Sequence, residues 1–434
     1  MTSPTHTHQR SENTSLVAGL DFGTSNSAIG FATNQNMHLH VFDHGESATP
    51  TALFYDDDDQ SLVCGYAAER RFLAGNEGRY LRALKSILGT SLAEESTKMG
   101  RQSIPFRALL AKFLRELKHG VAAASHSSIT KVVAGRPVRF IDDDDDRDAA
   151  AEDLLRTVLG DAGFQEISFV LEPVAALVDS EPRMPESQIV LVADIGGGTS
   201  DFTVAERTVE QSSESLFGFR ILANHGVHMG GTDLDKQLSL NSVLPALGLG
   251  SEMKASASDT ILPVPRAYYT DLATWQKIHF CYTPTLKREV REVLRYALQP
   301  EKIERLAAVL EDELGHGLAN AVEKTKITLN AHDTARLEFP ELPSLPNLTI
   351  SQEAMSAYLQ QELSSISRTA AEALSIAGVN PEAVDHIVMT GGSTLLPDVR
   401  RSITDVVPNG KIVEADPFTA VAHGLTKAAQ KLYL

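Results

Sequence analysis

An α/β protein of two related lobes is the fold class this sequence predicts, and three observations predict it. A strand–turn–strand unit built around an aspartate occurs twice. Leu16-Val17-Ala18-Gly19-Leu20 runs into Asp21-Phe22-Gly23-Thr24-Ser25-Asn26-Ser27 and then Ala28-Ile29-Gly30-Phe31. Ile189-Val190-Leu191-Val192-Ala193 runs into Asp194-Ile195-Gly196-Gly197-Gly198-Thr199-Ser200-Asp201 and then Phe202-Thr203-Val204. The chain has 434 residues, 42% of them hydrophobic, enough for two or more domains with substantial cores. Strand-like runs also interleave with stripes of helical period along the whole length.

The elements follow in order. Residues 1–15 are polar and read as a disordered tail, with His6 and His8 solvated in it. Alternation places strands around Val17–Leu20, Ala28–Ala32 and Leu39–Phe42. The acid runs Asp56–Asp59 and Asp142–Asp146 lack the ligand spacing and the glycine of an EF-hand loop, so they read as solvated turns. Arg147 to Gly160 reads as a helix with Leu154, Leu155, Val158 and Leu159 on one face. The short strand Phe169-Val170-Leu171 ends at Glu172-Pro173, where proline suits the first turn of the next helix. Residues 180–188, with Pro182 and Pro185, read as a connection between lobes.

The second hairpin then opens the second lobe. Residues 236–316 read as a peripheral subdomain that becomes helical at Ile303, Leu306, Ala307 and Leu310. A helix around Leu318–Asn330 and a proline-rich link near Pro340–Pro346 come next. Met355, Leu359, Leu363 and Ile366 predict one helix over 351–377. His386-Ile387-Val388-Met389 is a strand that ends in the turn Gly391-Gly392-Ser393-Thr394. A final helix is expected from Asp416-Pro417, with Asp416 as its N-cap. The domain reading is therefore lobe I over 16–187, completed by 415–434, and lobe II over 188–414.

Composition narrows the partners. A net charge of −18 argues against a nucleic-acid surface. Cys64 and Cys281 are too few for a disulfide framework, which fits a reducing compartment. The first residues lack the apolar core of a signal peptide, and no apolar run approaches a membrane span. The expectation is a cytoplasmic protein with no nucleic-acid or membrane partner.

The duplicated turns carry the chemistry. A nucleoside triphosphate needs backbone N–H donors at close range, which glycines permit, and its magnesium ion needs carboxylates. Thr24, Ser25 and Thr199 can add hydroxyl donors, while Asp21 and Asp194 each stand beside a turn at the end of an apolar strand. One such turn is an ordinary hairpin; two with matching order and flanks point to a phosphate–magnesium clamp. Glu323, Lys326 and Asn330 fall at helical spacings of three and four, so they share a face that can meet ribose hydroxyls.

These two turns resemble the phosphate motifs of the actin/sugar-kinase/heat-shock ATPase superfamily, and the chain most resembles its DnaK-type heat-shock chaperones. Ala83-Leu84-Lys85-Ser86-Ile87-Leu88-Gly89 is similar to the segment that carries the family's catalytic lysine. Leu171-Glu172-Pro173-Val174-Ala175-Ala176 resembles the connecting motif between lobes. His228-Met229-Gly230-Gly231-Thr232-Asp233-Leu234-Asp235 resembles the segment after the second hairpin. Val322-Glu323-Lys324-Thr325-Lys326-Ile327 and Met389-Thr390-Gly391-Gly392-Ser393-Thr394 resemble the adenosine elements.

The resemblance implies a two-lobed actin-like ATPase fold, with duplicated sheet-and-helix lobes and a nucleotide cleft between them. It implies ATP or ADP with Mg2+ as ligands. Asp21, Glu172 and Asp194 would hold the hydrated metal. Thr24, Ser25, Gly197, Gly198 and Thr199 would cradle the phosphates. Lys85, Glu172, Thr199 and Asp201 are the implied catalytic residues: Lys85 would lie near the γ-phosphate, neutralising charge and positioning the attacking water, and Asp201 would orient Lys85 or that water. Gly23, Asn26, Gly196, Gly230, Gly231, Glu323, Lys326, Asn330, Gly391, Gly392 and Ser393 would complete the nucleotide site. Pro137 and Arg147 resemble a relay pair between nucleotide and client domains, and a co-chaperone or regulatory protein is the implied partner.

Three positions depart from the family pattern: Leu395 stands where an arginine stacks on adenine, Asn330 where serine is usual, and Phe418 where an acid is usual. Only ten residues follow Gly424, so the expectation is an ATPase domain without a client-binding domain, like the short YegD-like homologues. A slow, chaperone-like or regulatory Mg-ATPase is the leading reading. The alternatives are a nucleotide-sensing scaffold with little hydrolysis, a small-molecule kinase and an actin-like polymer.

Overall fold

The computed structural model describes residues 16–180, 188–208, 215, 216, 218–255 and 260–434. The expected tail over 1–15 and most of the expected connection over 180–188 lie outside the described residues.

Two mixed sheets share one topology. The first contains β1 (Val17–Phe22), β2 (Asn26–Ala32), β3 (Met37–Leu39), β4 (Lys131–Arg136) and β5 (Glu166–Leu171) in the order β5-β4-β1-β2-β3. The second contains β6 (Ile189–Ile195), β7 (Ser200–Arg207), β8 (Phe219–Val227), β9 (His386–Thr390) and β10 (Lys411–Val413) in the order β8-β7-β6-β9-β10. In each, the first three strands pair antiparallel and the last two add in parallel to the first. Parallel neighbours need a crossover. Helix Asp145–Asp161 supplies it between β4 and β5, and Pro397–Thr404 between β9 and β10. β1 and β6 are buried along most of their length and read as apolar runs up to Asp21 and Asp194, as central strands do.

Two helices join the lobes. Glu172–Ser180 follows β5, and Ala420–Tyr433 closes the chain. Ala175, Leu177, Val421 and Leu425 pack in one core with Val17 and Val133 from the first sheet and Val190, Val192 and Val388 from the second. The closing helix lies on β1, β2 and β4. Its approach is backbone to backbone: a Cβ on Gly424 would overlap the carbonyl of Ala175, and one on Gly19 the backbone of Leu425 and Thr426. Glycine at both points is a steric requirement of this crossing.

Outside these layers, strand Gly78–Arg82 of a small three-stranded sheet touches segment Trp275–Tyr282 of the second lobe. No described helix is long and apolar enough to cross a membrane.

Three elements differ from the sequence expectations. The strand expected over Leu39–Phe42 is Met37–Leu39, because pairing with β2 begins at Ala32 and ends at Gly30. The helix expected over 351–377 is two, Gln352–Tyr358 and Gln360–Ala377, broken at Leu359. Met355, Leu359 and Ile366 are all buried, so the apolar stripe runs through a break that no glycine or proline announces. The final helix begins at Ala420 rather than Pro417; Asp416 Oδ1 instead accepts from the N–H groups of Phe418 and Thr419, both at 2.9 Å, in a turn ahead of the helix. The acid runs are not merely solvated either. Asp56 is buried against Arg71 and Asn76, and Asp144 caps helix Asp145–Asp161.

Candidate nucleotide site

The two Asp-Gly turns meet face to face across the interlobe cleft. Cβ atoms on Gly197 and Gly198 would overlap Ser25 Oγ and Thr24 Oγ1, so the turns touch. Each is tied from behind by hydroxyls. Thr51 Oγ1 donates to Gly23 O at 2.8 Å, and Thr51 N to Ser25 O at 2.9 Å. On the other side, Gly231 N donates to Gly196 O at 2.9 Å, while Thr232 N and Oγ1 both donate to Gly197 O at 2.8 Å. Ser393 Oγ donates to Gly196 O at 3.0 Å. With their carbonyls engaged, the turns keep their remaining polar groups for a ligand.

Four ionisable groups converge beneath the turns. Lys85 Nζ donates to Glu172 Oε1 at 2.6 Å, and both side chains are buried. Burial alone would favour the neutral amine, but Glu172 and Asp21 outweigh it and hold the Lys85 ammonium above its ordinary range. Asp21 is pushed up to about 7 by burial and by Glu172, against the pull of Lys85. Asp194 is raised well above its ordinary value by burial and by Glu172, Asp201 and Asp21. Closely packed carboxylates that burial and mutual repulsion drive toward protonation form the donor set a hard dication neutralises.

The other end of the cleft is built differently. Helix Gly315–Thr328 presents Glu323 and Lys326, and both have protein partners. Arg82 Nη2 donates to Glu323 Oε1 at 2.9 Å, Nη1 donates to Oε2, and the guanidinium lies 4.8 Å from the Trp275 ring centre. Lys326 Nζ pairs with Asp235 Oδ1 at 2.7 Å and donates to Gly231 O at 3.2 Å. Asn330 lines the cleft, and its Oδ1 is buried with no hydrogen-bond partner among the described residues. Ile327, Leu395 and Phe418 line the same end with about half of their surface exposed, at 55%, 41% and 42%.

Of the residues expected at the site, Asp21, Gly23, Thr24, Ser25, Asn26, Lys85, Glu172, Asp194, Gly196, Gly197, Gly198, Thr199 and Gly231 line this one cleft. So do Glu323, Lys326, Asn330, Gly391, Gly392 and Ser393. Gly230 and Asp201 stand behind its wall. A Cβ on Gly230 would come within 2.7 Å of the Gly197 carbonyl carbon and of Gly198 N. Asp201 Oδ1 accepts from Val138 N of the first lobe at 2.7 Å, and burial and Glu172 raise its carboxyl to about 7. Pro137 borders a small second cavity, and Arg147 donates to Gly89 O through Nε and Nη2 at 3.1 and 2.7 Å. Sequence reasoning passed over Thr51, Arg82, Thr232 and Asp235. Thr232 and Asp235 stand inside the segment from His228 to Asp235, and Arg82 directly precedes the segment from Ala83 to Gly89. Thr51 carries no such signal.

Comparison with known proteins adds a family. The family model described as Hsp70 protein matches residues 17–109 and 292–432, more than half of the chain. A chaperone protein DnaK of Methanothermobacter thermautotrophicus is 25% identical over 432 residues, which covers 94% of this chain and 58% of the relative. A chaperone protein DnaK of Carsonella ruddii is 21% identical over 447 residues, covering 96% of this chain and 63% of the relative. The chain thus spans about three-fifths of the length of these two relatives.

Proposed function

Because this chain belongs to the Hsp70 family, with its two-lobed actin-like ATPase fold, we propose that the cleft binds Mg-ATP, hydrolyses it slowly and closes its lobes on the triphosphate. The observation that carries the reading is the contact between Gly197-Gly198 of one lobe and Thr24-Ser25 of the other, directly above Lys85, Asp21, Asp194 and Glu172. A triphosphate held there draws donors from both lobes and so favours the closed arrangement.

Asp21, Asp194 and Glu172 would hold the metal, which supplies charge neutralisation to the β- and γ-phosphates. The ammonium of Lys85 faces the charge that develops on the transferring phosphoryl group, and Thr24, Ser25 and Thr199 orient that group by hydrogen bonding. Positioning and electrostatics suffice for this chemistry without a covalent intermediate. Asn330, with its unspent carbonyl, is the polar contact offered to the nucleoside, and Ile327, Leu395 and Phe418 give the base an apolar seat. ADP would occupy the same cleft after phosphate leaves. The proposal extends to chaperone-type work, in which lobe closure is the output a co-chaperone or regulatory protein reads.

The test is nucleotide titration with parallel phosphate release, on the purified protein and on Lys85→Ala and Thr199→Ala. Binding of Mg-ATP with phosphate release that both variants lose is the expected result. Unchanged release in both variants sinks the site assignment. Tight binding without release leaves a nucleotide sensor, and phosphate appearing on a co-substrate instead of in water makes the protein a kinase.

A further inference from the structure

A second cavity lies behind the phosphate turns. It measures about 10 Å³, the lower limit for a single water, and Thr24, Lys85, Ser86, Thr199 and His228 border it together with the apolar side chains of Leu88, Pro137 and Phe140. Thr24, Lys85 and Thr199 also line the main cleft, so a water in the small cavity adjoins the phosphate end.

A water that attacks phosphorus must shed a proton, and the bordering side chains differ in their capacity to take it. Lys85 is held as an ammonium by Glu172 and Asp21 against the effect of burial, and has none to accept. The hydroxyls of Thr24, Ser86 and Thr199 are weak bases. His228 remains, and its Nδ1 is buried without a hydrogen-bond partner among the described residues. A buried imidazole nitrogen left unpaired costs free energy unless something meets it. Asp201, on the same hairpin as Thr199, borders neither cavity; its Oδ1 is engaged by Val138 N, and its Oδ2 is buried without a hydrogen-bond partner among the described residues.

The backbone of His228 is anchored independently of its ring. Both carboxylate oxygens of Asp142, from the first lobe, accept from His228 N, at 3.0 and 2.9 Å. A side-chain substitution leaves that anchor in place.

We propose that His228 is a catalytic residue of the ATPase reaction, accepting the proton of the attacking water held in this cavity. As the water oxygen bonds to the γ-phosphorus, the bond from that phosphorus to the bridging oxygen breaks. ADP departs with the electron pair, inorganic phosphate forms, and the imidazolium returns the proton to solvent. The inference rests on the Mg-ATPase reading above.

The test uses the full chain and the variants His228→Gln and His228→Ala, with single-turnover phosphate release and ATP affinity measured on each. A positioned proton acceptor contributes about 100-fold, so both variants should release phosphate about 100-fold more slowly while ATP affinity stays within about twofold. Release within twofold of wild type in both variants, or loss of ATP affinity in both, overturns the role of His228 alone. A wild-type protein that binds ATP without releasing phosphate overturns the ATPase reading and this inference with it.

Discussion

The two ends of the cleft are made of different material. At the phosphate end, backbone turns from both lobes touch, and hydroxyls of Thr51, Thr232 and Ser393 fasten their carbonyls from behind. At the nucleoside end, side chains do the work: the Arg82–Glu323 and Lys326–Asp235 pairs, and the half-exposed Ile327, Leu395 and Phe418. A backbone-built site tolerates little, because a turn has few alternative shapes. A side-chain site can re-pack when one member changes. Substitutions at the phosphate end should therefore cost far more than those at the nucleoside end.

The largest effect belongs to Lys85. In Lys85→Ala, single-turnover phosphate release should fall about 10³-fold, the scale of a lost electrostatic contact to the transferring group. The same change strands Glu172 in a buried position, which costs about 3–5 kcal/mol when one partner of a buried pair is removed. Calorimetry without nucleotide should show that loss, and added Mg2+ should restore part of it if Glu172 helps to hold the metal. An unaltered melting temperature would break the account of the pair.

Two glycines sharpen the contrast. Gly230→Ala drives a methyl against the backbone of Gly197 and Gly198, which has no room to yield. Overpacking of about 2 kcal/mol should weaken ATP binding about 30-fold by titration. Gly392→Ala meets the Phe418 ring instead, with Cε1 2.9 Å away, on a side chain 42% exposed and able to turn aside. Its effect should stay within about threefold, since surface side chains re-adjust at little cost. Equal losses at the two positions would erase the distinction between the ends.

The same distinction decided what the sequence disclosed. The duplicated hairpins were legible because a phosphate turn needs glycine and hydroxyl residues at fixed offsets from an aspartate, and β1–β2 and β6–β7 follow that spacing. Lys85 and Glu172 were found only through the segments around them, since a lysine or a glutamate on a helix has no spacing of its own. Arg82 and Asp235 went unseen as partners of Glu323 and Lys326 because tertiary pairing across 241 residues, as for Arg82–Glu323, leaves no local mark. His228 was quoted within a motif, but its unpaired Nδ1 exists only in three dimensions. The break at Leu359 was hidden because burial kept the helical stripe intact across it.

A smaller effect is expected at the clasp over the nucleoside end. Arg82→Ala removes the bidentate pair to Glu323 and the contact with Trp275, and a lost charge-assisted pair of about 1.5 kcal/mol should weaken ATP binding about tenfold. Acid should loosen the same region. His316 packs near Tyr80 and Trp275, and burial, His279 and Arg79 push its imidazole down to about 3. Burial and Arg79 push His279 down to about 3 as well. Both rings are neutral when folded and protonate in the unfolded chain below about pH 6.5. Their contribution is therefore full above about pH 6.5 and declines as pH falls toward 3. Melting temperatures from pH 7 to 4.5 should drop more steeply for wild type than for His316→Phe; parallel curves would exclude this source of acid sensitivity.

The smallest effect tests what replaces directional readout at the base. Phe418 offers a ring face, and Ile327 and Leu395 offer aliphatic surface without charge, so the gain from a base is dispersion and burial with no cation–π component. Stacking of a base on an aromatic side chain is worth about 1 kcal/mol at the low end, and Phe418 is partly exposed, so Phe418→Ala should weaken ATP binding only about fivefold. Phe418→Leu should recover part of that loss, since it keeps apolar area and gives up the ring. Leu395→Arg should do the opposite of a deletion: a guanidinium over the base adds attraction that the aliphatic chain cannot supply, tightening ATP about two- to fivefold. Tighter binding in Leu395→Arg with phosphate release unchanged would mean that affinity and turnover are set at separate ends of the cleft. A change in turnover that tracks the change in affinity would show instead that the base seat governs lobe closure.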